Sequence, residues 1–245
     1  MSERRRVVLT GASRGIGRAT VKRFSDAGWQ ILTCSREAIP EESRDDPNWT
    51  HHIPADLADP ASIDGFIDSI NEVLGEDGLD ALVNNAAQSP KTPYRERLGC
   101  LNGPLAGWRE VFELNFFAAL TLSRGFASAL NRRQGAIVNI TSIAGHATHP
   151  FAGSAYSISK AALSALTREM AVEFAELNVR VNAVAPGEIA TEMIGEEYES
   201  LIPRIPLNRM GTAEEVAGVV YQLCDSDFSY VTGTEIFVTG GQHLY

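Results

Sequence analysis

Seven short, β-branched runs alternate with longer amphipathic segments along the chain, and no other feature limits the possible folds as strongly. The runs are "RVVLT" (6–10), "QILTCS" (30–35), "HHIPA" (51–55), "DALVNN" (80–85), "AIVNIT" (136–141), "VRVNAV" (179–184) and "EIFVT" (235–239). Most are apolar on both faces, as strands buried in a parallel sheet are. Helices are expected between them, near 15–27, 60–75, 107–131, 154–177 and 212–224. Asp59-Pro60, Ser154, and Thr212 with Glu215 mark three of the helix starts. The alternation predicts an α/β protein with a doubly wound parallel sheet, right-handed crossovers and helices on both faces.

With 245 residues the chain is long enough for a single domain, 1–245. Two stretches read as irregular, 88–106 with Pro90, Pro93, Gly99, Gly103 and Pro104, and 186–211 with Pro186, Gly187, Pro203 and Pro206. Both follow strands at the ligand-binding side of such a sheet and are expected to be substrate loops. A net charge of −10 argues against a nucleic-acid or anionic-membrane partner, and "RRR" (4–6) reads as a solvated terminus. Cys34, Cys100 and Cys224 have no metal-ligand or redox spacing, so a cytoplasmic setting is expected and no metal. No stretch has the length of a signal-peptide core or a membrane span.

"TGASRGIG" (10–17) follows a strand and opens a helix. In that context Gly11 permits a tight turn, Gly15 lets backbone approach a pyrophosphate, and Gly17 lets helix and strand pack closely. The helix start at Ile16 offers free N–H groups to the phosphates, with Ser13 and Arg14 beside them. The second strand ends in "CSRE", placing Ser35 where NAD enzymes carry an acid, followed by Arg36. With Arg14, this arginine can grip a 2′-phosphate, which predicts NADP(H); Glu37 weighs slightly against it. Asp56 and Leu57 close the third strand, where they can meet an adenine or simply make a turn.

"YSISK" (156–160) puts Tyr156 and Lys160 on one helical face. Taken with the glycine turn, "NNAA" (84–87), Asn115, Ser142, "APG" (185–187) and Thr191, in that order, the chain resembles the short-chain dehydrogenase/reductase family, of the 3-oxoacyl-reductase-like Tyr-x-x-x-Lys type. The resemblance runs from Val7 to Gly241 and implies a seven-stranded, doubly wound Rossmann fold, hydride transfer between a nicotinamide and an alcohol or carbonyl carbon, and homotetramers or dimers. It makes Tyr156 the general acid/base, Lys160 its partner and holder of the nicotinamide ribose, Ser142 the residue polarising the substrate oxygen, and Asn115 the holder of a water linked to Lys160. Asn85, Ala86, Pro186, Gly187, Ile189 and Thr191 would line the cofactor cleft. Three departures stand out: Ala87 for a glycine, a longer segment before Asn115, and Thr239 where an aspartate is common.

A tyrosine with its ordinary pKa near 10 is a poor base at pH 7, and a cation within about 4–6 Å makes it more acidic. Lys160 is expected to do so here. His146 and His149 follow Ser142 and are expected to line the substrate site rather than bind zinc. The acidic stretch "EMIGEEYE" (192–199) disfavours anionic substrates and acidic carriers, and Phe151, Met193, Ile194 and Tyr198 offer an apolar contact surface. Two rival readings keep the fold and change the function: a cofactor-binding sensor without turnover, and a nicotinamide-independent lyase or dehalogenase.

Overall fold

The structure, a computed structural model, describes residues 4–36, 39, 41–92, 96–191 and 196–244. Its elements are β1 (Arg6–Thr10), α1 (Gly15–Asp26), β2 (Gln30–Ser35), β3 (Trp49–Pro54), α2 (Pro60–Leu74) and β4 (Ala81–Asn84). Then come α3 (Leu105–Phe112), a π-helical turn (Glu113–Phe117), α4 (Ala118–Gly125), α5 (Ala127–Arg133), β5 (Ala136–Ile140) and α6 (Ser154–Ala175). β6 (Arg180–Pro186), β7 (Ile189–Ala190), β8 (Gly211–Thr212), α7 (Ala213–Cys224) and β9 (Glu235–Val238) complete the chain.

Seven strands form one sheet in the order β3-β2-β1-β4-β5-β6-β9, and every neighbouring pair is parallel. The order reverses between β1 and β4, which opens a crevice at their carboxyl ends. Alternate residues of one strand feed opposite layers. Val7 and Leu9 pack with Phe24, Trp29, Val216 and Val220, while Val8 packs with Leu32, Phe66, Leu82 and Phe126. The short pair β7–β8 ties Ile189 to Gly211 and Ala190 to Thr212, closing the loop between them at its base.

Several local expectations need correction. β3 starts at Trp49, two residues before the apolar run, and Trp49 Nε1 donates to Thr33 Oγ1 on β2 (2.6 Å). The continuous helix expected over 107–131 is three helices and a π turn. Asp59 does cap α2, accepting from the Ala61 N–H, and Thr212 and Glu215 form the expected capping box on α7. Ser154 caps nothing with its side chain: Gly153 is the N-cap of α6, and the Ser154 N–H donates to Leu98 O (2.8 Å). Nor are the basic residues at 4–6 a solvated terminus. Arg5 pairs with Asp225 (2.9 Å) and lies over the Trp29 ring (4.4 Å). Arg6 reaches Asp77 (2.6 Å), Gln30 and Leu74 O. Glu37, Pro93, Met193 and Ile194 lie outside the described residues.

Candidate active site

The turn after β1 is pinned to the end of β4. Thr10 Oγ1 accepts from the N–H groups of Asn85 and Ala86, both at 3.0 Å. The Asn85 amide returns two bonds, to Thr10 O (2.9 Å) and Gly11 O (3.0 Å). Gly11 and Gly15 have φ of +67° and +53°, which side chains rarely adopt. A Cβ on Gly17 would stand 2.0 Å from Gly11 O, so the cradle closes only around hydrogen. The turn opens at the amino end of α1, and Thr191 packs beside Gly15.

This cradle forms one end of a cavity of about 800 Å³. Gly11, Ser13, Arg14, Gly15, Ile16 and Gly17 line it, followed by Ser35, Arg36, Asp56, Leu57, Asn85 and Ala86. Ser142, Tyr156, Lys160, Pro186, Gly187, Ile189 and Thr191 line the rest. Arg14 and Arg36 are exposed at its rim. Asp56 makes the turn expected of a strand-ending aspartate, accepting from the Ala58 N–H (3.0 Å), while Leu57 is buried.

Of the residues predicted for chemistry, only Asn115 is not in the cavity wall. It is buried on the π turn, where its side chain takes the Gln88 N–H (2.9 Å) and gives bonds to Gln88 O and Ser159 Oγ (both 3.0 Å). It therefore joins the segment after β4 to α6. An extra residue in a helix commonly marks a functional site. Ser142 caps a short 3₁₀ turn, accepting from the Ala144 N–H (3.2 Å), and shares a hydrogen bond with Tyr156. Lys160 is buried and donates to Ile140 O (2.6 Å), with its Nζ 5.8 Å from the Tyr156 ring centroid.

The electrostatics differ from the sequence expectation. Burial is the largest influence on the Tyr156 hydroxyl and raises its pKa; the Ser142 bond lowers it, and the charge of Glu188 raises it. Burial also lowers Lys160 to about 7. In the protein alone, burial drives both groups toward their neutral forms. A buried lysine amine whose hydrogen bond among the described residues goes to one carbonyl suits a partner rich in hydroxyl oxygens. With the glycine cradle, that donor set fits a dinucleotide.

Two features were missed in the sequence. Thr10 is the hinge pin between turn and strand. Glu188, directly after "APG", is buried yet lines the cavity, and its Oε1 meets His149 Nε2 (2.8 Å) and Gln242 Nε2 (3.2 Å). A charged residue inside an otherwise apolar "VAPGEIA" was the available signal. Of the two histidines, His149 lines the cavity; His146 turns to Glu235 (3.0 Å) and packs on Phe237. The family described as "Enoyl-(Acyl carrier protein) reductase" matches residues 11–243.

The chain belongs to the short-chain dehydrogenase/reductase family. Among the proteins it is similar to, Protein FixR of Bradyrhizobium diazoefficiens is 48% identical over 97% of this chain and 86% of its own length. The 3-oxoacyl-(acyl-carrier-protein) reductase FabG of Aquifex aeolicus is 36% identical over 96% of this chain and 95% of its own. The crystal structure of a short-chain dehydrogenase/reductase from Brucella ovis, in complex with a partially ordered NAD, is 47% identical and matches with a TM-score of 0.83. That match covers 97% of this chain and all of the other.

Proposed function

We propose that the protein moves a hydride between NADP(H) and a carbonyl or secondary-alcohol substrate. The observation that carries the reading is the meeting of Ser142, Tyr156 and Lys160 in the same cavity as the glycine cradle. Gly11 to Gly17, Asn85, Ala86, Lys160, Ile189 and Thr191 would hold the cofactor, with Arg14 and Arg36 on its 2′-phosphate and no acid at Ser35 to repel it. When bound, the nicotinamide supplies or accepts the hydride.

The protein's own part is the proton and the field. During reduction, Tyr156 gives its proton to the substrate oxygen, which Ser142 steadies by a hydrogen bond. In the reverse direction Tyr156 takes that proton. Lys160 would hold the nicotinamide ribose, its Nζ 5.8 Å from the Tyr156 ring centroid. Asn115 fixes the relation of α6 to the segment after β4, so it sets the position of Tyr156 and Lys160. The loops 88–106 and 186–211 enclose the substrate, in a single domain spanning 1–245. A homodimer or tetramer would cover β9, an edge strand with every residue half-buried. Three free cysteines suit a cytoplasmic setting, and no helix among the described residues is long and apolar enough to cross a membrane.

Tyr156→Phe should retain NADPH binding within about twofold and lower kcat by about 10²–10⁴-fold on any carbonyl the wild type reduces. Retained turnover would refute the role of Tyr156. Equal or better use of NADH in side-by-side titrations would refute the choice of NADP(H).

A further inference from the structure

Glu188 is an unusual wall for such a cavity. Its carboxylate is almost wholly enclosed, with a side-chain exposure of 3%. The donors that hold it are neutral. His149 Nδ1 faces the backbone N–H groups of Phe151 (3.2 Å) and Ala152 (3.0 Å) and must accept from them. The imidazole proton is therefore on Nε2, given to Glu188 Oε1, and the ring contributes no charge. Gln242 gives its amide N–H to the same oxygen, and its own Oε1 is buried without a partner among the described residues. Among the described residues, no lysine or arginine pairs with Glu188, and its Oε2 has no hydrogen bond.

Glu188 Oε2 is not among the buried atoms that lack a partner, so it opens on the cavity that Glu188 lines, where a donor can reach it. Here the backbone is pinned, with the Gly211 N–H donating to Glu188 O (2.9 Å) and the Gly187 N–H to Val238 O (3.0 Å). The carboxylate shares its wall with Tyr156, whose hydroxyl lies within reach of its field. Tyr198 and Phe151 form an aromatic face beside it, their centroids 4.9 Å apart, with Tyr198 5.8 Å from His149.

We propose that Glu188 selects the substrate: its open oxygen takes a hydrogen bond from a hydroxyl or protonated amine that the substrate carries near its reacting carbon. The aromatic face then packs the carbon skeleton between that group and Tyr156. The inference rests on the proposed carbonyl chemistry. It predicts a preference for donor-bearing ketones and alcohols over apolar ones.

The test uses the full chain saturated with NADPH and three matched probes: methyl-, hydroxy- and amino-substituted cyclohexanone. Binding is read by quenching of protein fluorescence and turnover by NADPH consumption, so selection is measured whether or not a probe reacts. The wild type should bind the hydroxy and amino probes about tenfold to a hundredfold more tightly than the methyl probe, the range for a hydrogen bond to a charged group. Glu188→Leu should bring all three within about threefold of one another. Glu188→Gln separates the two donors: it should keep the hydroxy preference and lose the amino one, since only the latter needs the charge.

A wild type that binds the three equally, or none of them, overturns the inference. So does a Glu188→Leu protein that still binds NADPH and keeps the wild-type ratios. If the variants fail to fold, the wild-type ratios alone decide. Loss of turnover in Tyr156→Phe with unchanged probe preferences leaves both readings standing. Retained turnover there removes the catalytic reading while the binding ratios still judge Glu188.

Discussion

Two helical glycines should respond to the same substitution with opposite signs. Gly17 lies in the first turn of α1 and Gly65 within α2; neither has a positive φ, so alanine strains neither backbone. At Gly65 an added methyl meets nothing within 4 Å, and alanine gains helix propensity of about 1 kcal/mol. At Gly17 it would stand 2.0 Å from Gly11 O and 2.6 Å from Asn85 Nδ2. Reaching ordinary contact means opening the turn by more than ~1 Å. Neither obstacle is the free end of a flexible side chain: one is backbone, and the other is an amide tied to Thr10 O and Gly11 O. Losing those two bonds costs about 1 kcal/mol each, and the overpacking about 1–3 kcal/mol. After the propensity gain, Gly17→Ala should destabilise by about 2–4 kcal/mol and Gly65→Ala should stabilise by up to about 1 kcal/mol. Urea unfolding followed by circular dichroism measures both. The displaced turn should also weaken cofactor binding at least about tenfold in Gly17→Ala alone, read by NADPH fluorescence. Wild-type stability and affinity in Gly17→Ala would refute the cradle argument, and a destabilised Gly65→Ala would refute the reading of open space around that residue.

Three further outcomes follow from local geometry. Thr212→Ala removes one half of the α7 capping box and should cost about 1 kcal/mol in the same unfolding assay. The partner carboxylate, Glu215, is held down at about 2, chiefly by Arg209 and then by the Thr212 N–H. Its support is thus present above the ordinary carboxylate range and fades as pH falls toward about 2. Burial lowers Lys160 from 10.5 to about 7, so between these values the unfolded chain binds more protons and stability rises with pH. Lys160→Met should accordingly be no less stable than wild type below pH 7, and any advantage should shrink toward pH 10.5; a variant markedly weaker at pH 6 would contradict this. A thiol reagent on the native protein should label Cys100, which is exposed, and spare Cys34 and Cys224, which are buried. Burial raises both buried thiols, Cys224 to about 12, and labelling of more than one site before unfolding would count against that picture.

The fold was legible because its signal is repetitive: short, mostly apolar runs alternate with longer helical segments, so small boundary errors leave the topology intact. The glycine cradle was legible for a different reason. Its glycines are required by sterics that act between near neighbours, as between Gly11 and Gly17. What stayed hidden depends on long-range contacts. Ser154 looked like a cap, but the cap geometry belongs to Gly153, and the Ser154 N–H is taken by Leu98. The arginines at the start looked solvated because their partners, Asp77 and Asp225, are far away in sequence. The acidity of Tyr156 could not be judged from the nearby Lys160 alone, because burial raises its pKa more than the Ser142 bond lowers it. Glu188 drew no notice in the sequence because its partners, His149 and Gln242, are distant in the chain.

The π turn over Glu113–Phe117 has a consequence for how this protein can vary. One surplus residue shifts every later side chain around the axis by about 100° relative to an unbroken helix. The stretches before and after it therefore obey two separate angular frames. Exchanges of one amino acid for another within the turn leave those frames untouched. Deletion of a single codon there would rewind α4 against α2 and swing Asn115 out of reach of Gln88, so this segment tolerates spelling changes far better than changes of length.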